Sequence, residues 1–307
     1  MVGCAPGRMR WILPCPSIEK NRVQLHRIVD ADAAKNKIDR RPEVRPHPYF
    51  AGEPLVLAHR GASGYAPDHT ARALELAIQQ GADAIEADVH LSRDGHPVLH
   101  HSGELSENTD ASGSIAARTL DELRRLDAGY RFSPDGGNSF PHRGKGHRII
   151  TLAEALELLP DTRFNLDIKV RRAAVPARQV IDRHRAGERV LLASWYSWQR
   201  SPALAGYPGP RSVTTDQMFP FMLLHWARLD ALWKAGIEAF QLPETHWGIR
   251  VITQRLIRRA HELGFRVHVW TVDDESDMDR LLGWGVDGII TKKPDLAVLA
   301  RARALGR

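Results

Sequence analysis

The stretch DAIEADVHLSRDGHPVLHHS, residues 83–102, decides how the chain folds. Read with period two, Ile85, Ala87, Val89 and Leu91 form one apolar face of a strand, and Glu86, Asp88 and His90 form the other. Two carboxylates so close together in an apolar run repel each other and are costly to desolvate, so they call for a compensating cation. Asp94-Gly95 then lies between two apolar runs, the strongest short-range signal for a tight hairpin. With Asp94 and Gly95 as the two loop residues, Arg93 faces His96 and Asp88 stands opposite His101. A slip of one residue would substitute His100.

Working outward, LVLAHRG (55–61) is an apolar strand followed by DHTARALELAIQQG (68–81). In that second segment Leu74, Ala77 and Ile78 share a helical face and Gly81 supplies a stop. Further apolar strands follow at FNLDIKV, RVLLASW, RSVTTD, AFQLPE, RVHVWTV and VDGIIT, most of them separated by helical patterns. Repeated strand–helix alternation predicts a parallel sheet, and eight such strands in a chain of this length predict a closed α/β barrel of the (β/α)8, TIM type. The hairpin follows the second strand, and an inserted segment precedes the third barrel strand. An open doubly wound sheet is the competing arrangement, but no GxGxxG follows a strand.

At 307 residues, with 43% hydrophobic and 26% charged side chains, the chain has the composition of a globular protein with a substantial core. No segment approaches the apolar length of a membrane helix. Residues 1–48, basic and Pro-containing, read as a poorly ordered extension, with the barrel domain spanning 49–307. Cys4 and Cys15 both fall in that extension, so the barrel is built without disulfides, which suits a reducing compartment and a cytoplasmic protein. A net charge of +6 suits an anionic partner. The basic residues are nevertheless scattered, without zinc-finger spacing or aromatic–basic interleaving, so no nucleic acid is expected as partner.

In such a barrel, strand C-terminal ends build the active site. His59 and Arg60 close the first strand, and Asp167 and Lys169 share one face of FNLDIKV. Glu86, Asp88 and Asp167 would then converge as an oxygen-only site for one divalent cation, Mg²⁺ or Ca²⁺. A plain pairing of Asp167 with Lys169 is the bland alternative.

LAHRGASGYAPDHT, AIEADVHLSRDGHPVLHHS, ITLAEALELLPDTRFNLDIKV and VHVWTVDDESDMDRLLGWGVDGIITKKPD resemble successive signatures of the glycerophosphodiester phosphodiesterase family, in that family's order, over about residues 50–300. The resemblance implies metal-dependent hydrolysis of a small-molecule glycerophosphodiester to an alcohol and glycerol 3-phosphate. It implies His59 and His101 as catalytic acid and base, and Glu86, Asp88 and Asp167 as metal ligands. Arg60 and Lys169 match phosphate-contacting positions, and Trp270 matches an aromatic lining the pocket.

Several positions depart from the family pattern. Pro-Glu-Asn-Thr reads Pro67-Asp68-His69-Thr70, and Asp68 is placed where a helix N-cap belongs. Ser102 replaces the Asp after the second His, removing an orienting carboxylate, and Asp167 replaces a Glu. Three other readings compete: a lysophospholipase D acting on acylated substrates, a metal-dependent aldolase or isomerase, and a phosphate-ligand binding protein with a lapsed site. QMFPFMLLHW (217–226) bears on the first. It is apolar on more than one helical face, so either it packs on the barrel or part projects as a patch for an acyl chain or a peripheral membrane contact.

Overall fold

The structure, a computed structural model, describes residues 47–307 apart from Glu53 and Trp247. The expectation of a poorly ordered extension over 1–48 therefore falls almost wholly outside the described residues. In chain order the elements are β1 (Leu55–His59), α1 (Ala71–Gln79), β2 (Ala84–Leu91), β3 (Pro97–Leu99), α2 (Leu120–Leu123), α3 (Leu152–Leu158), β4 (Arg163–Ile168), α4 (Arg171–Arg183) and β5 (Val190–Ala193). They continue with α5 (Ser197–Arg200), α6 (Thr215–Trp226), β6 (Ala239–Pro243), the two-residue strands β7 (Thr245–His246) and β8 (Ile249–Arg250), α7 (Gln254–Glu262), β9 (Arg266–Trp270), α8 (Glu275–Gly283), β10 (Gly288–Thr291) and α9 (Pro294–Ala304).

Seven parallel strands run in the order β5-β4-β2-β1-β10-β9-β6. The expected strand at RSVTTD contributes only isolated parallel bridges, Arg211 to Leu192 and Ser212 to Ala239. Those bridges link the two outer strands: Ser212 N–H donates to Leu192 O (3.2 Å) and Val213 N–H to Ala239 O (2.8 Å). The curled sheet with its flanking helices is a TIM-type barrel, as the alternation of the sequence requires.

The parity of β2 settles which face goes where. Ile85, Ala87 and Val89 pack outward in one core cluster with Leu152, Phe164, Leu166, Ala173 and Ile181. The opposite parity lines the interior. At the base Leu55, Leu57, Ala84, Leu191, Ala239 and Ile290 cluster around Tyr49 and Phe50 of a short 3₁₀ turn, which plug the barrel floor. Burying a ring such as Phe50 contributes roughly 1.5–3 kcal/mol. One and two residue pairs higher on the same strand faces come His59, Glu86, Asp88, Asn165, Asp167 and Trp270, so the apolar floor gives way to a polar upper layer.

The hairpin forms, but its expected register is one residue out. Val89 pairs with Leu99 and Leu91 with Pro97, and His100 N–H donates to Asp88 O (3.1 Å). His100, not His101, therefore stands across from Asp88. The loop holds three residues, Arg93, Asp94 and Gly95: Ser92 N–H bonds His96 O (3.0 Å) and Gly95 takes the left-handed conformation at φ 87°. A type I turn plus a left-handed glycine is the next commonest solution after the two-residue loop. The Asp94 carboxylate accepts from Ser92 Oγ (2.7 Å) and from Leu120 N–H (3.0 Å), tying the turn to the inserted segment. That insertion has a small core of its own, with Val98, Leu105, Ile115, Leu123 and Ile149 buried together.

Candidate active site

At the C-terminal end of the strands lies a cavity of about 360 Å³. His59, Arg60, Glu86, Asp88, His101, Asp167, Lys169 and Trp270, all eight sequence-derived candidates, line it. The Arg60 backbone is left-handed (φ 59°), and its N–H donates to Glu86 Oε2 (3.1 Å) and Glu86 O (2.8 Å). Gly61 follows, also left-handed; a Cβ there would lie 2.6 Å from the Ala73 carbonyl carbon, so only glycine lets α1 approach the turn. The His-Arg-Gly run is thus a backbone device that turns β1 over the acidic face of β2.

Lys169 Nζ sits between two carboxylates, 2.7 Å from Asp88 Oδ1 and 2.6 Å from Asp167 Oδ2. Arg60 Nε lies 3.3 Å from Asp88 Oδ2, and Arg60 also reaches Asp68 Oδ2 at 3.3 Å. The repulsion latent in Glu-x-Asp is therefore offset by side-chain cations. Burial alone would raise Asp88, but His69, Lys169 and Arg60 hold its carboxyl well below the usual range. Burial, and then the Asp88 charge, push Glu86 up to about 8. Asp167 is raised as well, chiefly by burial. Burial and the neighbouring Arg60 push His59 down to about 3, leaving a neutral imidazole whose Nε2 is 3.8 Å from Glu86 Oε2.

The donor set suits a hard cation. Asp167 Oδ1 and Asn165 Oδ1 are buried oxygens without a hydrogen-bond donor, Asp88 Oδ2 has only the 3.3 Å contacts to Arg60 and His69, and all three residues line the cavity. Among the described residues, however, no three such side chains close around a common point. The Lys169 ammonium instead bridges Asp88 and Asp167.

His101 Nδ1 donates at 2.7 Å to Glu107 Oε1, a carboxylate of the inserted segment. His90, pushed down to about 4 by burial, holds the His101 carbonyl through Nε2 (3.2 Å). His100 is buried, with Nδ1 on Ser102 O (2.7 Å). Asp68 is not the N-cap of α1: Thr70 is, its hydroxyl accepting from Ala73 N–H (3.3 Å). Asp68 instead pairs with Arg60 and accepts from Asn108 Nδ2 (2.9 Å). It was displaced from the cap because His69 takes a left-handed turn (φ 58°) that sends its own imidazole under Asp88.

Four contributors escaped the sequence reading. Asn165 shares a strand face with Asp167, a signal present in the Asn-x-Asp spacing. Gln241, on the interior face of β6, touches the buried His268 (3.2 Å). Trp195 stands at the cavity mouth, edge-on to Trp270 with ring centroids 6.4 Å apart. Glu107, at the end of a three-residue 3₁₀ turn (Leu105–Glu107), lies in an element too short to carry a periodic signal.

Comparison with known proteins agrees with this architecture. The sequence profile of the Glycerophosphoryl diester phosphodiesterase family matches residues 59–296. A glycerophosphodiester phosphodiesterase of Caldanaerobacter subterraneus is 32% identical over 80% of this chain and 96% of its own length. A probable glycerophosphodiester phosphodiesterase 2 of Mycobacterium tuberculosis is 33% identical over 80% of this chain and 89% of its own. A crystallised Oleispira antarctica phosphodiesterase in complex with the product sn-glycerol-3-phosphate superposes with a TM-score of 0.67, at 27% identity, over 82% of this chain and 98% of that one. With a relative this close in extent and a profile spanning the barrel, the resemblance noted in the sequence is borne out, the chain is a phosphoric diester hydrolase, and it belongs to the glycerophosphoryl diester phosphodiesterase family.

Proposed function

We propose that the cavity hydrolyses the phosphodiester of a glycerophosphodiester, releasing an alcohol and glycerol 3-phosphate, with His59 and His101 exchanging the protons. The observation that carries this reading is the meeting of two imidazoles, three carboxylates and two cationic side chains on one cavity. His59, neutral through burial, is suited to accept the proton of the attacking oxygen, whether of water or of a neighbouring glycerol hydroxyl whose cyclic phosphate water then opens. His101, its Nδ1 held by Glu107, keeps Nε2 for the opposite task of protonating the leaving alkoxide. Arg60 and Lys169 would orient the phosphate and stabilise the negative charge that gathers on its oxygens.

Glu86, Asp88 and Asp167, with Asn165 beside them, would hold one divalent cation. Bound there, Mg²⁺ or Ca²⁺ supplies positive charge to the phosphoryl oxygens. Two of those carboxylates, Asp88 and Asp167, are the ones the Lys169 ammonium bridges. Lys169 would then be the side chain left to reach the substrate phosphate.

The test is hydrolysis of glycerophosphocholine, with product identified as glycerol 3-phosphate plus choline, with and without a chelator. Release of phosphocholine and glycerol instead would overturn the assignment of the broken bond. Full activity in excess chelator after exhaustive dialysis would overturn the cation.

One observation favours a second reading, cleavage of lysophospholipids by the same chemistry. The outer wall of the cavity is apolar, formed by Trp195, Met218, Leu242, Val251 and Trp270. Such a wall could receive an acyl chain, at ~0.8 kcal/mol per buried methylene. A wild-type preference for lysophosphatidylcholine over glycerophosphocholine in kcat/KM, lost in Trp195→Ala with Met218→Ser, would decide for it.

A further inference from the structure

Helix α6 is apolar on two opposite sides, and only one of them is used. Phe221 and His225 face the barrel, and the Phe221 ring packs on Phe240 and Trp233 at centroid distances of 4.8 and 5.1 Å. On the other side Phe219 (68% exposed), Leu223 (48%) and Trp226 (72%) fall at i, i+4 and i+7, a single stripe turned to solvent. Leu229 and Leu232, also exposed, extend the apolar surface past the helix end. Scattered exposed apolar residues need no explanation, but a contiguous aromatic stripe does.

Basic residues adjoin this stripe. Arg228 falls between Trp226 and Leu229, and Arg255 and Arg258 of α7 share a surface pocket with it. The two acids in that pocket are already paired: Asp230 accepts from Arg259 (2.6 Å) and from His225 (2.7 Å), and Glu262 accepts from Arg259 (2.7 Å). Arg228, Arg255 and Arg258 are exposed and, among the described residues, have no carboxylate within 4.0 Å. Four arginines against two acids leave that pocket net positive, and Arg228, two residues past Trp226, links it to the end of the apolar stripe, the pairing that an interfacial helix presents to a membrane.

We propose that the Phe219/Leu223/Trp226 face of α6, with Arg228, Arg255 and Arg258, docks on an anionic phospholipid surface. The aromatic stripe enters the boundary between headgroups and acyl chains, and the guanidiniums take the lipid phosphates. A second copy of the chain is the poorer occupant, because two-fold pairing through this face would bring two like-charged arginine clusters together. Met218 of the same helix lines the catalytic cavity, so docking sets the cavity mouth beside the lipid. The proposal stands whether or not the active-site reading above is right.

The experiment is co-sedimentation of the full chain with phosphatidylcholine vesicles with and without phosphatidylglycerol. Binding is expected only to the anionic vesicles. Arg255→Glu with Arg258→Glu should weaken it by well over tenfold, since each cation near such a surface counts for about fivefold. Phe219→Ser with Trp226→Ser should weaken it too. None of these residues lines the cavity, so hydrolysis of a soluble diester should persist and report an intact fold. Absent binding, equal binding to both vesicle types, or variants that sediment like wild type would each overturn the proposal. So would self-association of the wild type that Phe219→Ser with Trp226→Ser abolishes, which would assign the face to a second copy.

Discussion

Glu107 Oε1 lies 2.7 Å from His101 Nδ1, joining a 3₁₀ turn of the inserted segment to an imidazole just past the hairpin. A carboxylate in that place fixes the ring orientation and the tautomer, the part a third residue plays in hydrolytic triads generally. Glu107→Gln should lower kcat by roughly tenfold or more with KM little changed, and Glu107→Asp should restore part of it. Equal kcat in Glu107→Ala and wild type would show the contact to be ornamental.

The two histidines should each be costly to remove. His59→Ala and His101→Ala should lower kcat by at least ~10²-fold, the low end for a lost acid or base. The double variant should lose less than the product of the two. His100→Ala should behave differently, because His100 is buried and bonds Ser102 O. It should cost about 1–3 kcal/mol of stability while sparing kcat, as read by denaturant unfolding beside steady-state kinetics.

The carboxylates divide by stability. Glu86, held up to about 8 by burial and by Asp88, is strained toward its neutral form. Glu86→Gln should therefore abolish turnover while leaving Tm unchanged or raised. Asp88→Asn should abolish turnover and lower Tm, since Lys169 and Arg60 both rely on that charge. Added Mg²⁺ or Ca²⁺ should raise the Tm of the wild type more than that of either variant. An identical shift in all three would place the ion elsewhere.

A pH-dependent stability follows from His268, wholly buried beneath the cavity and pushed down to about 4 by that burial. Its folded pKa is below the unfolded 6.5, so the unfolded chain binds the proton first. Stability is full above about 6.5 and falls as pH drops toward 4, by roughly 3 kcal/mol in all from this group. The steepness of that fall, followed by unfolding midpoints across the window, should diminish in His268→Gln. A slope unaltered by the substitution would assign it to other groups.

The strand–helix alternation and the Glu-x-Asp parity were legible because periodicity reports which face is buried. His59, Arg60 and Lys169 were legible for the same reason, as polar groups at strand ends. The hairpin register was not: Asp-Gly is compatible with two- and three-residue loops, and only the Ser92–His96 bond and the Asp94 contact to Leu120 choose between them. The Asp167–Lys169 pair was legible as the bland alternative to a cation, but the reach of Lys169 to Asp88 as well depends on β2 and β4 lying side by side. The 217–226 run was half legible. Its two apolar sides show in the sequence, but Phe221, at 0% exposure, turned out to face the barrel.

The floor of the barrel bears on where the chain can be cut. The family match begins at His59, yet Tyr49, Phe50, Leu55 and Leu57, all ahead of it, fill the base. At the far end Arg301, beyond the match, reaches back to Asp83 and to Pro54 O (3.2 Å), fastening the last helix under the first strand. The packed barrel is thus longer than the family match on both sides. A fragment trimmed to 59–296 would keep nearly every reactive group and lose the parts that hold them in place.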